Sequence, residues 1–282
     1  MLINENTAVL VQGITGRQGR FHTNLMLEYG TKVVAGVTPG KGGQEVQGVP
    51  VYNSVLDALK EHQIGATILF VPAKFATDAV LENIKSKIPV VCVITENIPV
   101  QDMLRLSWEA KKNDVTVIGP NTPGMLVPER IKLGIMPSDL CSYGDISVIT
   151  KSGTLSYEIV KSLDIAGFGV SSYIGIGGDP IRGTGFVKLL EMGEKDQNTK
   201  RILLIGEIGG DEEERAAKFI KENMAKPVYA YIAGKSAPKG KRMGHAGAII
   251  SGKSGTAQSK IDTLKSAGVK IANTPWEIPD LI

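Results

Sequence analysis

Two stretches of this 282-residue sequence set chemically able side chains among glycines. The first is "GITGRQG", residues 13–19, which follows the apolar run "TAVLVQ" and leads into a helix-like segment. Gly13, Gly16 and Gly19 form a loose relative of the dinucleotide fingerprint. Such glycines let backbone N–H groups and a helix N-terminus approach a pyrophosphate. Taken alone, the spacing also describes a tight βα turn with no ligand. A nicotinamide dinucleotide further demands an acid ~20 residues on, at the end of the second strand. That strand ends "VVAGVTPGKGGQ", with Pro39, Gly40, Lys41, Gly42 and Gly43 in place of an acid. Two glycine-rich loops and a cation at one sheet edge suit a ligand with several phosphates and no need of a ribose acid. Coenzyme A, with a pyrophosphate and a 3′-phosphate, fits, and Arg17 offers a second phosphate contact. Lys41 reads equally well as a solvated loop lysine. The missing acid disfavours an NAD-dependent dehydrogenase.

The second stretch is "KRMGHAGAII", residues 241–250. His245 is one of only three histidines, and it stands between Gly244 and Ala246 with Gly247 next. Nothing around it resembles the apolar face of a helix, so residue type alone describes a solvated loop imidazole. The overlapping run "GAIISGKS", residues 247–254, matches the P-loop pattern letter for letter. A P-loop needs a strand before the loop so that backbone amides fold around phosphate at a helix start. Here "KSAPKGKRMGHA" precedes it, and no apolar run ending in Asp follows to hold magnesium. Lys253 is therefore expected to bind no nucleotide.

Composition bounds the rest. The sequence is 42% hydrophobic and 22% charged with net charge +3, an ordinary globular profile long enough for two domains. Lysines and arginines are dispersed among 29 acids, unlike the clustered basic face of a nucleic-acid protein. Cys92 and Cys141 make no CxxC spacing, and three scattered histidines complete no metal set, so no metal site is expected. No apolar run approaches ~18 residues, so no membrane span is expected. The start "MLINENTAVLVQ" lacks the basic and apolar regions of a signal peptide. A cytoplasmic protein, or a processed one in an organellar matrix, is the expectation.

The elements that must carry these loops alternate from end to end. Strands are predicted at "TAVLVQ", "KVVAGV", "ATILFV", "PVVCVI" and "VTVIG", and helices at "NSVLDALKEH", "FATDAVLENIKSK" and "VQDMLRLSWEAKK". Asn53 and Thr77 are the expected caps near two helix starts. The rhythm pauses over 119–144, which is rich in proline and glycine, and resumes with "DISVIT", "VSSYIGI", "RILLIGEI" and "PVYAYIAG". Helices follow at "TLSYEIVKSLDIAG", "FVKLLEMGEK", "DEEERAAKFIKENM" and "TAQSKIDTLKSAG". Alternating βα units predict α/β architecture. The reading is two doubly wound parallel-sheet domains: a Rossmann-like domain over 1–125, a connecting segment over 126–144, and a flavodoxin-like domain over 145–282.

One set of motifs occurs in a single order: "GITGRQG", "GVTPGKGG", "VITE", "GPNTPG", "KSGTLSYE", "GIGGDPI", "IGEIGG" and "YIAGKSAPKGKRMGHAGAI". From about residue 3 to 270 the chain resembles the alpha subunits of succinyl-CoA synthetase and its relatives, the nucleoside-diphosphate-forming acyl-CoA ligases. The resemblance implies that His245 becomes phosphorylated and that Glu207 hydrogen-bonds its other ring nitrogen. Ser152, Gly153 and Thr154 would then hold phosphate at a helix start, and Tyr157 would lie near the acid. It implies coenzyme A at Thr15, Gly16, Arg17, Gln18, Lys41, Ile94, Thr95 and Glu96, beside Pro39 of the second glycine loop. Arg17, Asn97 and Thr122 depart from residues common in the family, which leaves the chemistry in place and touches the affinity for coenzyme A.

The implied reaction runs in three steps: a nucleotide phosphorylates His245, a carboxylate takes the phosphoryl group, and the coenzyme A thiol attacks the acyl phosphate. Succinate stands first among the acids, with malate or citrate as alternatives. ATP or GTP with Mg²⁺ would bind a separate beta subunit with an ATP-grasp domain, in an αβ or (αβ)₂ assembly. A noncatalytic coenzyme A-binding regulator would keep the first glycine loop and Lys41 but need neither His245 nor Glu207.

Overall fold

The computed structural model describes residues 2–238, 240–250 and 255–282. The chain divides into two compact units. One holds Leu2–Ser138 with Ile181–Gly183; the other holds Asp139–Pro180 with Thr184–Ile282. Among the described residues, no helix is long and apolar enough to cross a membrane.

The first unit begins with β1 (Val9–Gln12), β2 (Val33–Val37), β3 (Glu45–Val46), β4 (Val49–Tyr52), β5 (Ala66–Leu69), β6 (Val90–Val93) and β7 (Thr116–Ile118). They lie side by side in the order β3-β4-β2-β1-β5-β6-β7. All pairings are parallel except that of the edge strand β3 with β4. Without β3 this is the 3-2-1-4-5-6 order of a Rossmann sheet, which reverses between β1 and β5. β1, β5 and β6 are buried at every position, as strands covered on both faces must be. Helices α1 (Arg17–Glu28), α2 (Val55–Leu59), α3 (Ala73–Lys85) and α4 (Val100–Lys112) supply the cover. Val80, Ile84, Met103 and Leu106 of α3 and α4 pack with Val91 and Val93 of β6.

The second unit contains β10 (Tyr143–Thr150), β11 (Val170–Gly175), β12 (Arg201–Glu207), β13 (Val228–Ala233) and β14 (Lys270–Ile271). Helices α5 (Gly153–Ile165), α6 (Phe186–Lys195), α7 (Glu212–Asn223) and α8 (Ala257–Ser266) alternate with them. The strands run parallel in the order β14-β13-β12-β10-β11, the 2-1-3-4-5 arrangement of flavodoxin-like sheets. The order reverses between β10 and β12.

Several expectations need correction. The stretch 126–144 is more than a connector: β8 (Gly124–Val127) and β9 (Ile131–Gly134) form an antiparallel hairpin with turn residue Glu129 at φ 63°. Proline and glycine density hid two short strands. Asn53 does not cap α2; Ser54 does, accepting from the Asp57 amide, while Asn53 Oδ1 accepts from the Gly42 amide at 2.9 Å. Thr77 is no cap either. It lies inside α3, which starts at Ala73, and its hydroxyl donates to Asp102 at 3.0 Å. Of the P-loop-like run, Ala248 and Ile250 are buried, and Ser251–Ser254 lie outside the described residues.

Beneath the carboxyl edge of the second sheet lies a dry charge cluster. Lys151 follows β10, Glu213 opens α7 and Lys260 sits in α8; they are 2%, 0% and 0% exposed. Lys151 Nζ reaches Glu213 Oε1 at 2.7 Å, and Lys260 Nζ pairs with Oε2. Burial pushes the Glu213 carboxyl up, but the charges of Lys151 and Lys260 outweigh it and hold the group below the ordinary range. Removing the shared carboxylate leaves two ammonium groups in a dry site with only longer contacts, Lys151 to Glu212 at 3.9 Å and Lys260 to Glu214 at 3.7 Å, so Glu213→Gln is expected to lower unfolding free energy by ~3–5 kcal/mol in urea titrations near neutral pH. The depressed carboxyl adds stability above the ordinary unfolded value of ~4.3, and that stability is lost as pH falls through the lower folded value. Titrations below ~pH 4.3 are therefore expected to show a steeper acid loss in wild type than in Glu213→Gln.

Candidate active site

In the first unit a cleft of about 700 Å³ opens where the strand order reverses. Gln12 and Gly13 at the end of β1, Val37 to Pro39 after β2, and Phe70 to Pro72 after β5 form its walls. Gly13 has φ 78°, and a Cβ there would stand 2.6 Å from the Phe70 carbonyl oxygen. Only glycine lets the two strand ends lie this close. α1 then starts at Arg17 with Gly16 as its N-cap, no side chain capping it and no acid in its first turn. The amides of Arg17, Gln18 and Gly19 thus face outward with the positive helix end, a setting that accepts phosphate.

Thr15, Gly16 and Pro39 line the cleft, while Arg17, Gln18 and Lys41 stand exposed at its rim segments. Ile94 and Thr95, just after β6, are half-buried. Thr95 Oγ1 donates to the carbonyl of Val71, itself a lining residue, at 2.7 Å. Glu96 is exposed beyond them. Thr38 escaped the sequence reading. Its hydroxyl accepts from Thr15 Oγ1 at 3.1 Å and ties the two glycine loops together. Phe75 also lines the mouth at 54% exposure, an apolar platform that no motif had marked.

In the second unit His245 Nδ1 lies 2.8 Å from Glu207 Oε2, with the two side chains 27% and 10% exposed. Glu207 is the last residue of β12. The imidazole also packs against Gly178, three residues beyond the Gly175 end of β11, where a Cβ would come within 2.2 Å of the ring. The Gly247 amide donates to the Gly178 carbonyl at 3.0 Å. β10 runs between β11 and β12. A ring that touches the loop after β11 and the end of β12 therefore sits over the carboxyl end of β10, where Lys151 and Ser152 lead into α5.

Ser152 is the N-cap of α5, extended at φ −107° with no side-chain cap hydrogen bond, so the first-turn amides of Gly153 and Thr154 point out of the helix start. Tyr157, one turn on, is half-buried beside Tyr173 with ring centroids 6.2 Å apart. Burial pushes its hydroxyl up to about 12, so it is a neutral donor at physiological pH. Sequence reasoning missed Gly178 and the charge cluster below it; "GIGGDPI" carried the signal for the first, a glycine pair directly after a strand.

A carboxylate on Nδ1 fixes that nitrogen as the protonated one and makes Nε2 the basic, nucleophilic nitrogen of the neutral ring. With a helix N-terminus at the same strand end, the arrangement can form and neutralise a bond from Nε2 to an anionic group.

Comparison with known proteins agrees in extent. The CoA binding domain family matches residues 4–97 and the CoA-ligase family matches residues 149–270. Subunit alpha 2 of the ADP-forming succinate–CoA ligase of Archaeoglobus fulgidus is 53% identical over 282 residues, covering 100% of this chain and 98% of that protein. The corresponding alpha subunit of Methanothermobacter thermautotrophicus is 55% identical over 282 residues, covering 100% of this chain and 96% of its own. Among solved structures, ATP citrate lyase from Methanothrix soehngenii in complex with citrate and coenzyme A has a similar fold, with a TM-score of 0.89 at 23% identity. That match covers 100% of this chain and 51% of the lyase chain, so this chain spans about half its length.

Because the ring lies directly on Gly178, Gly178→Ala is expected to push the imidazole off Glu207. In ¹⁵N spectra of histidine-labelled protein, the His245 Nδ1 proton should lose its strongly hydrogen-bonded, downfield position. An unchanged resonance would show that the ring does not rest there.

Proposed function

The chain belongs to the family of succinate–CoA ligase alpha subunits, and from that premise we propose that it binds coenzyme A in its first unit and carries a phosphoryl group on His245 in its second. The observation that carries the proposal is the 2.8 Å contact of His245 Nδ1 with Glu207 at the strand-order reversal of the ligase unit. A coenzyme A-binding regulator would have no use for that pair.

In the proposed reaction Nε2 attacks the terminal phosphorus of a nucleoside triphosphate held by a separate beta subunit with an ATP-grasp domain and its Mg²⁺. The N–P bond forms as the bond from phosphorus to the leaving diphosphate oxygen breaks. The Nδ1 proton stays on the ring, which becomes cationic, and Glu207 stabilises that charge. The first-turn amides of Gly153 and Thr154, which follow the N-cap Ser152, offset the phosphoryl dianion. A carboxylate oxygen of the acid then takes the phosphoryl group, and the ring returns to its neutral form. Finally the thiol sulfur of coenzyme A adds to the acyl carbon and inorganic phosphate leaves.

Succinate is the proposed acid and ATP the proposed nucleotide, because the full-length relatives at 53% and 55% identity are ADP-forming succinate–CoA ligases. Malate and citrate have no comparable support, since the citrate-bound relative is 23% identical. Residues of the first unit fit coenzyme A. The amides at the start of α1 suit a pyrophosphate, Lys41 and Arg17 are exposed cations, and the cleft has room for an apolar ring.

With beta subunit, Mg²⁺ and γ-labelled ATP, the chain is expected to take up label in an acid-labile, base-stable linkage that succinate and coenzyme A together discharge. His245→Ala should abolish labelling and turnover, and the chain without its partner should not label. Turnover that persisted in His245→Ala would defeat the mechanism. Separately, Lys41→Ala should weaken coenzyme A binding about tenfold or more, the scale of one charge-assisted hydrogen bond, as read by calorimetric titration. Wild-type affinity in both Lys41→Ala and Arg17→Ala would remove both residues from the phosphate site.

A further inference from the structure

Glu213 stands outside every motif that suggested the function, yet it makes contact with the main chain of the residue that holds the histidine. Its Oε1 accepts from the Glu207 amide at 3.2 Å and from Lys151 Nζ at 2.7 Å. Its Oε2 accepts from Lys260 Nζ, and Lys260 also donates to the Gly209 carbonyl at 2.8 Å. Glu213 is fully buried. A Cβ on Gly206 would stand 2.7 Å from Oε1, so the residue before Glu207 must be small for the contact to exist.

The contact is one step from the chemistry. Glu207 presents its amide to Glu213 on one side and its carboxylate to His245 on the other. The ionic partners lock Glu213 in place. A carboxylate between two ammonium groups in a dry site cannot turn without breaking a charge pair. That rigidity passes to the Glu207 backbone, and from there to the carboxylate that sets the imidazole.

We propose that Glu213 is a positioning residue for the Glu207–His245 pair: clamped by Lys151 and Lys260, it fixes the Glu207 main chain so that the carboxylate bears on Nδ1. The role in catalysis rests on the phosphohistidine reading, whereas the coupling of Glu213 to the His245 ring does not.

The test uses the full chain with its partner subunit and four forms of the protein. In Glu213→Asp the charge stays but the carboxylate retracts by one methylene from the Glu207 amide. In Gly206→Ala the new methyl group pushes the carboxylate away from the strand, so this variant serves if Glu213→Asp does not fold. Ile220→Val is a core change in the same helix, away from the cluster, and controls for lost stability. Wild type is the reference.

With only three histidines in the chain, the His245 ring is read directly by NMR titration, and phosphohistidine formation by rapid quench. The His245 titration midpoint is expected to fall by about 0.5 pH or more in Glu213→Asp and Gly206→Ala, as its carboxylate loses alignment. Labelling should slow about tenfold or more in both, and neither quantity should move in Ile220→Val. A wild-type midpoint in both variants would overturn the proposal, as would an equal shift in Ile220→Val at equal loss of thermal stability. If wild type itself took up no phosphate, the functional reading would fall, while the midpoints would still decide whether Glu213 sets the ring.

Discussion

Parallel strands put every carboxyl end on the same edge of a sheet, and both proposed sites follow from that constraint. Each crossover helix must leave from that edge and return to the other. Where the strand order reverses, successive crossovers depart to opposite faces and leave a gap that nothing else fills. The gap between β1 and β5 is the cleft of the first unit; the gap between β10 and β12 is where His245 meets Glu207. Residues as far apart in sequence as Ser152, Gly178, Glu207 and His245 can share one edge only because the ends of β10, β11 and β12 and the loop after β13 come together there. The helix that follows each strand adds the positive end of its dipole at the same place.

The charge cluster under the second edge shows what that edge requires beyond packing. Burying two ammonium groups and a carboxylate costs desolvation that their mutual attraction only partly offsets, and well-packed apolar residues would serve stability as well or better. What apolar residues would not give is direction. Lys151 extends from β10, Lys260 from α8 and Glu213 from α7, and the carboxylate also receives the Glu207 amide of β12. Lys151 Nζ lies 5.5 Å over the Phe186 ring as well, so α6 is engaged too. Hydrogen bonds with fixed partners hold strand ends in register where close-packed methyl groups would allow sliding.

How much of this the sequence discloses depends on how local the cause is. Helices α4 and α6 end where their periodic apolar residues end, and "VQDMLRLSWEAKK" and "FVKLLEMGEK" match them residue for residue. Buried parallel strands were legible because both faces are covered and the apolar runs are unbroken. The two-residue strands β3 and β14 have too few positions to show any period. The hairpin β8–β9 sits among prolines and glycines that read as connection. In the site, His245 and Glu207 were expected together only through the family resemblance, since residue type alone described a solvated loop imidazole. Residues joined only in space were not visible: Lys260 in "TAQSKIDTLK" looks like a surface lysine, and Glu213 in "DEEERAAK" looks like one more acid at a helix start. Both are wholly buried. Nothing within a helical turn of either reports its partner, because the partners arrive from other strands and helices.

The same distinction bears on the dehydrogenase alternative. Two acids of α3, Asp78 and Glu82, do line the first cleft, and a reader of lining residues alone could take one for the missing ribose acid. Geometry argues otherwise. Glu82 spends both oxygens within the protein: Oε1 accepts from the Val55 amide at 2.7 Å and Oε2 from Gln12 Nε2 at 3.3 Å. It braces β1 against the start of α2. The ribose position of a dinucleotide lies at the end of the second strand, and there Thr38 donates to its own strand's Val37 carbonyl at 2.9 Å and accepts from Thr15. Hydroxyls and a lysine-bearing glycine loop thus occupy the place where a carboxylate would bind a diol. Both hydroxyl protons are spent within the protein, so it is the cation of that loop, Lys41, that favours phosphate oxygens over ribose hydroxyls, at an edge to which the strand order brings it.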